Sequence, residues 1–270
     1  MSQLLIGTSG YDYPEWKGVF YPTDLPRKDF LSYYATQFNA LEINNTFYNM
    51  PDAGRINSFY ERSQGKLNFS IKANRLLTHE IDQNWKNYGD DFKNAIKDLQ
   101  EKDCLSAVLF QFPQSFHYEK ENRIYLADLI NYFSGFPVVI EFRHSEWIRQ
   151  SVFEGLNQRN ASIVFCDMPQ LKNLPDGFGV KTPFIGKNAY IRFHGRNESA
   201  WYAKTEDSLA NNGSARYLYD YSDEELNKFV PVIGNAIKEG KKAQIYFNNH
   251  PKGLGAKNAR NLKEKLVTRI

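Results

Sequence analysis

Six short apolar runs in this chain end in side chains that could do chemistry. Glu141 and Arg143 occupy alternate positions after Val138-Val139-Ile140. In an extended segment successive side chains point to opposite sides, so these two share one face and Ile140 and Phe142 the other. The same alternation sets Glu42 and Asn44 against Leu41 and Ile43, and Ser70 and Lys72 against Phe69 and Ile71. It also sets Arg192 and His194 against Ile191 and Phe193, while Val108-Leu109-Phe110 ends on Gln111 and Ile245-Tyr246-Phe247 on Asn248. A charge is costly to bury without a partner, so these polar ends are expected to meet around one wet cavity.

The residue types suggest what that cavity could do. Glu42 and Glu141 could flank a ligand and divide general-acid and general-base work, provided their surroundings separate their pKa values. A glycosidase-like role would further need a particular carboxylate separation. Lys72 could serve as a Schiff-base amine if neighbouring cations depress its pKa, or simply as a counter-ion. Arg143, Arg192 and Arg196, with Lys252 nearby, could bind a phosphate or carboxylate, or Arg143 and Arg192 could only neutralise the two glutamates. His194 and Asn248 would position the substrate. Tyr11 and Trp16 would form part of its cover, while most of Phe47, Tyr48, Trp201 and Tyr202 pack against loops. Glu141, Asp167 and His194 could approach one another as metal ligands, but there is no HExxH and no dense histidine cluster. No metal or other cofactor is therefore expected, and Asp167 could equally cap the following loop. The competing reading of the whole set is a satisfied ion-pair network that only fixes the fold.

Strands and helices must alternate to position these groups. Strand-like runs start at Leu4, Leu41, Leu67, Ala107, Val138, Ser162, Tyr190 and Gln244. Between them, helical spacing predicts helices over 29–38, 53–63, 91–102, 121–133, 147–158 and 256–267. Ser222-Asp223-Glu224-Glu225 has the form of a capping box and predicts a helix starting near Asp223. The stretch 168–188 is rich in proline and glycine and predicts a rudimentary sixth helix at most. The connection 195–221 is long enough to be a lid. This rhythm predicts a single α/β domain over 1–270, a TIM-type (β/α)8 barrel whose site lies at the C-terminal mouth.

Composition sets the outer limits. The chain has 270 residues, a formal net charge of +3 and 15% aromatic residues. That mild positive charge permits a small polar or anionic ligand, and nucleic acid is compatible but not favoured. Cys104 and Cys166 have no metal-type spacing. No apolar stretch approaches the roughly 20 residues of a membrane helix. Met1-Ser2-Gln3 runs directly into the first strand, so the expectation is a soluble, cytoplasmic protein without a membrane partner.

Several of these segments also form a recognisable set: Gly7-Thr8-Ser9-Gly10-Tyr11, Trp16 with Phe20-Tyr21-Pro22, and Glu42-Ile43-Asn44-Asn45-Thr46-Phe47-Tyr48. With them go Lys72-Ala73 before Thr78-His79, Phe110-Gln111-Phe112-Pro113, Glu141-Phe142-Arg143-His144, Arg192-Phe193-His194-Gly195-Arg196 and Phe247-Asn248-Asn249-His250. The chain resembles the YecE-like family, domain of unknown function 72, nearly end to end. The resemblance implies a TIM barrel and marks these motif positions, Asn44 and Asn249 among them, as a shared polar set. It implies no particular reaction. An enzyme acting by acid–base catalysis on a sugar-like or phosphorylated substrate is the leading expectation. The alternatives are a non-catalytic ligand or nucleic-acid binder and a metal-dependent hydrolase or isomerase.

Overall fold

The computed structural model describes residues 3–175, 184–202 and 214–268. Among them the strands are β1 (Leu4–Ser9), β2 (Ala40–Ile43), β3 (Asn68–Lys72), β4 (Leu105–Gln111), β5 (Val138–Glu141), β6 (Ser162–Asp167), β7 (Asn188–Phe193) and β8 (Lys242–Phe247). They pair in parallel and in chain order, and β8 closes onto β1, as the (β/α)8 reading predicts. Parallel neighbours cannot be joined by a tight hairpin, so the chain crosses the outside of the barrel between strands. The helices on that path are α1 (Phe30–Gln37), α2 (Ala53–Arg62), α3 (Trp85–Glu101), α4 (Lys120–Tyr132), α5 (Gln150–Gln158), α6 (Glu198–Trp201), α7 (Asp223–Lys238) and α8 (Leu254–Val267).

The alternation along the strands builds two separate apolar layers. Outward residues meet the helices: Phe193 stacks on Phe247 at 4.4 Å and meets Phe229 of α7 edge-on at 4.6 Å. Inward residues, including Leu5, Leu109, Val139, Val164, Tyr190 and Tyr246, fill the barrel itself. Each such buried side chain contributes about 1.5–3 kcal/mol relative to exposure. The interior is therefore solid below the polar ends, which leaves the chemistry at the C-terminal rim.

β1 and β2 approach unusually closely. A Cβ on Gly7 would lie 1.9 Å from the Ala40 carbonyl oxygen. The Tyr34 hydroxyl of α1 occupies the same crowded spot, donating to Ala40 O at 3.0 Å and accepting the Thr8 N–H at 2.8 Å.

Element ends differ from the sequence reading in several places. β1 runs on through Thr8 and Ser9, because both residues pair with β2. α3 begins at Trp85 rather than Asp91, since Trp85 packs edge-on against Tyr125 and Tyr132 of α4. α5 starts at Gln150, after a single 3-10 turn over Ser145–Trp147. The Ser222 capping box forms as predicted: Ser222 Oγ accepts the Glu225 N–H at 3.2 Å, and Glu225 Oε2 accepts the Ser222 N–H at 2.8 Å. In the glycine-rich sixth connection, residues 168–175 and 184–187 carry no helix, and 176–183 lie outside the described residues. The predicted lid contains α6 and a 3-10 turn over Ser214–Tyr217, with 203–213 likewise outside them. No described helix is long and apolar enough to cross a membrane.

Candidate functional site

Three strands bring one buried charge cluster together. Arg192 of β7 donates from Nη2 to Glu42 Oε1 of β2 and from Nη1 to Glu141 Oε2 of β5, each at 2.6 Å. Ser9 Oγ and the Tyr190 hydroxyl also donate to the Glu42 carboxylate, at 2.6 and 2.7 Å. Ser70 Oγ lies 2.7 Å from the same tyrosine hydroxyl. Arg143 donates from Nε to the second oxygen of Glu141. Glu42 and Glu141 are 0% exposed and Arg192 is 2% exposed, so each depends on these partners to offset its desolvation. Burial alone would push Glu141 up, but Arg143 and Arg192 outweigh it and hold the carboxyl well below the usual range. That is the opposite of the raised pKa a general acid needs.

Above the cluster lies a rim of polar groups. His194 is buried, with Nε2 3.1 Å from Arg143 Nη2 and Nδ1 3.0 Å from the Asn248 amide. Burial first, and then Arg143, push its pKa down to about 3, which leaves the ring neutral at neutral pH. Arginine can only donate, so Nε2 accepts from Arg143, while the Asn248 Nδ2 amide group is the one that faces Nδ1. His194 thus locks Arg143 to Asn248.

Lys72 ends β3 and is partly exposed. Its Nζ donates to Gln111 Oε1 at 2.9 Å and lies 4.2 Å from the centre of the Phe47 ring. It has no carboxylate partner among the described residues. Burial, and then the Arg192 charge, lower its pKa from 10.5 to about 7. His79 meets Phe47 edge-on at 4.8 Å, and burial followed by the Lys72 charge brings it down to about 4. Tyr13 stacks on His250 at 4.7 Å, and the Tyr217 ring lies 6.0 Å from both His194 and His250. These rings cover the mouth from the β1, β7 and β8 loops.

Other residues singled out in the sequence lie elsewhere. Asp167 ends β6 on the outward phase, where both oxygens take Arg196, at 2.8 and 2.6 Å, and Oδ1 also accepts from the Tyr221 hydroxyl. Arg196 is completed by Glu225 at 3.0 Å, so this pair ties β6 and the β7 loop to α7 outside the mouth. Asn249 is buried, donating to Tyr219 O and Asn258 Oδ1. Trp16 is 0% exposed and donates from its indole to His250 O at 2.8 Å. Tyr11 and Asn44 line a separate cavity beside the mouth. Where sequence reasoning groups Glu141, Asp167 and His194, the structure groups Glu141, Cys166 and His194, whose ligand atoms lie within 4.8 Å of one another. Two guanidiniums touch that Glu141, so a cation there would be repelled and an anion attracted. Ser9, Tyr190 and Cys166, missed by the sequence reading, fall on the inward phase of their strands. Extending that phase would have found them. Tyr13, His250 and Tyr217 come from irregular loops, where no periodicity signals their aim.

Residues 5–270 match the profile of the family described as "Protein of unknown function DUF72". The chain belongs to the DUF72 family. It is 26% identical over 272 residues to the UPF0759 protein YunF of Bacillus subtilis, covering 97% of this chain and 94% of that protein. A crystal structure of a DUF72 family protein from Thermotoga maritima is 31% identical, with a TM-score of 0.85 over 98% of this chain and 99% of that one. A DUF72 family protein from Enterococcus faecalis, 22% identical, shares the fold with a TM-score of 0.81 over 98% and 95% of the two chains. In this DUF72 chain the motif residues Glu42, Lys72, Glu141, Arg143 and Arg192 all converge at one end of the barrel.

Proposed function

We propose that the protein is an enzyme acting on a small anionic substrate at the barrel mouth, with Lys72 as the group that moves the proton. The observation that carries this reading is the setting of its amine: at the rim, held by an amide and an aromatic face, with no carboxylate to keep it charged. A neutral amine near pH 7 is a competent base, and its conjugate acid can return the proton. Arg143 and Asn248, locked through His194, offer donors to an anionic oxygen of the substrate or to charge developing on it. The two glutamates are assigned a different task from acid–base transfer. They are saturated by arginine, serine and tyrosine, and they fix the guanidiniums in place.

The test begins with a turnover screen over phosphorylated sugars and hydroxy acids, followed by Lys72→Met and Lys72→Arg on whichever substrate is found. Loss of about 10²-fold or more in kcat is expected for both, since arginine stays charged. The wild-type rate is expected to rise as pH increases through about 7, where the amine loses its proton. Undiminished turnover by Lys72→Met would end this reading. Tight binding of a screened compound without any turnover would favour a non-catalytic binding protein instead.

A further inference from the structure

We propose that a cavity beside the mouth, between the loop after β1 and helix α2, binds the phosphate of a phosphorylated polyol or sugar. The proposal extends the mouth reading by naming the substrate class. The cavity has a volume of about 440 Å³ and is lined by Tyr11, Asn44, Asn45, Arg55, Ser58 and Arg62 among others. That is room enough for a small metabolite.

Two features of its wall point to a ligand. The first is a pair of guanidiniums with no carboxylate partner among the described residues. Among the described residues Arg62 donates only to the Tyr11 hydroxyl at 3.3 Å and to Lys28 O at 3.2 Å, and the Arg55 side chain makes no hydrogen bond. The carboxylate on the same wall, Asp12, is already clamped by Arg27 at 2.7 and 3.0 Å. The second feature is Asn44 Oδ1, a buried acceptor without a donor among the described residues. Planar guanidinium forks match phosphate oxygens, and an orphaned amide oxygen calls for a hydroxyl or N–H. A ligand with a phosphate at one end and hydroxyls at the other meets both needs. Asn44 follows directly on β2, two residues past Glu42 of the central cluster, so such a ligand would extend from the cavity toward the mouth.

This moves the anion site from where the sequence reading places it. Arg196, in the loop after β7, is consumed by Asp167 and Glu225, so the frequent phosphate position after the last strands has lost its guanidinium.

Calorimetric titration of the full chain with glycerol 3-phosphate, inorganic phosphate and glycerol tests the site. Glycerol 3-phosphate is expected to bind most tightly and glycerol not at all. Because the Arg55 side chain is exposed and makes no hydrogen bond among the described residues, Arg55→Gln keeps the fold, and a weakening of about tenfold is expected, with near-complete loss for Arg55→Glu. Arg159→Gln, at the exposed end of α5, serves as the control for bulk charge and is expected to bind as the wild type does. Absence of binding by both phosphate compounds overturns the proposal. So does wild-type affinity in both Arg55 variants, or equal weakening by Arg159→Gln. Failure of the catalytic reading would look different: Arg55-dependent binding of glycerol 3-phosphate with no turnover of any phosphorylated compound.

Discussion

Arg192 bridges two buried carboxylates, so its removal leaves Glu42 without a cation and Glu141 with Arg143 alone. Arg192→Leu is expected to cost about 3–5 kcal/mol, read as a lowered denaturation midpoint. Adding Glu42→Gln should recover part of that loss, because one uncompensated charge disappears. The two titrations that the cluster perturbs have opposite signs. Glu141 is held below its ordinary range, so its stabilisation is complete above the ordinary carboxylate pKa and is lost as pH falls through the folded value. Glu141→Gln should accordingly flatten the acid limb of a stability-against-pH curve. Lys72 is lowered from 10.5 to about 7, so between those pH values the unfolded chain binds more protons and stability rises with pH. Lys72→Met is therefore expected to raise Tm at pH 7, by an increment that shrinks toward pH 10. An activity loss joined to a stability gain in one variant would separate a functional lysine from a structural one. At this scale the sequence was informative: Glu42, Lys72, Gln111, Glu141, Arg143, Arg192, His194 and Asn248 all stand on the inward phase that alternation predicts. Their charge states were not legible, because each depends on partners from other strands.

Each strand could be read from its own residues, since period-two patterning is local. Helix starts were less legible where tertiary contact sets them. Nothing near Trp85 announces a helix until Tyr125 and Tyr132 are packed against it. The Ser222 box was legible because both halves of the motif lie within four residues. Ser222→Ala is expected to cost about 1 kcal/mol, by the ordinary value of an N-cap. Gly7 presents the harsher case. With Ala40 O only 1.9 Å from where a methyl would sit, Gly7→Ala must push β1 off β2, and loss of soluble folded protein on expression is expected. A Gly7→Ala variant with an unchanged melting curve would show that the strands can separate without harm. Phase separates Asp167 from the mouth: it follows inward-facing Cys166 and so points outward to Arg196.

Closure is a property of the molecule as a whole. β1 pairs with β8 over Leu4–Thr8, and the indole of Trp16 reaches His250 O across 234 residues of chain. Removing residues 242–270 would leave β1 and β7 as open edges and uncover the inner face of both. Loss of a cooperative thermal transition is expected, rather than a smaller stable remnant. Which strand ends face one another across the mouth follows from this ring and not from any one segment. That is why Glu42, Glu141 and Arg192 could be predicted to share a cavity, while their pairing stood only as one of two alternatives.

The Lys72 amine rests against Gln111, an uncharged neighbour whose dipole does not fix its ionisation. Burial and the Arg192 charge bring its pKa to about 7, so a charge entering the mouth can tip that ionisation either way. An anionic guest would draw a hydrogen ion from solvent as it docks, so its apparent affinity should fall as the medium becomes alkaline. The heat released on docking should also differ between buffers of unlike ionisation enthalpy, in proportion to the hydrogen ion captured.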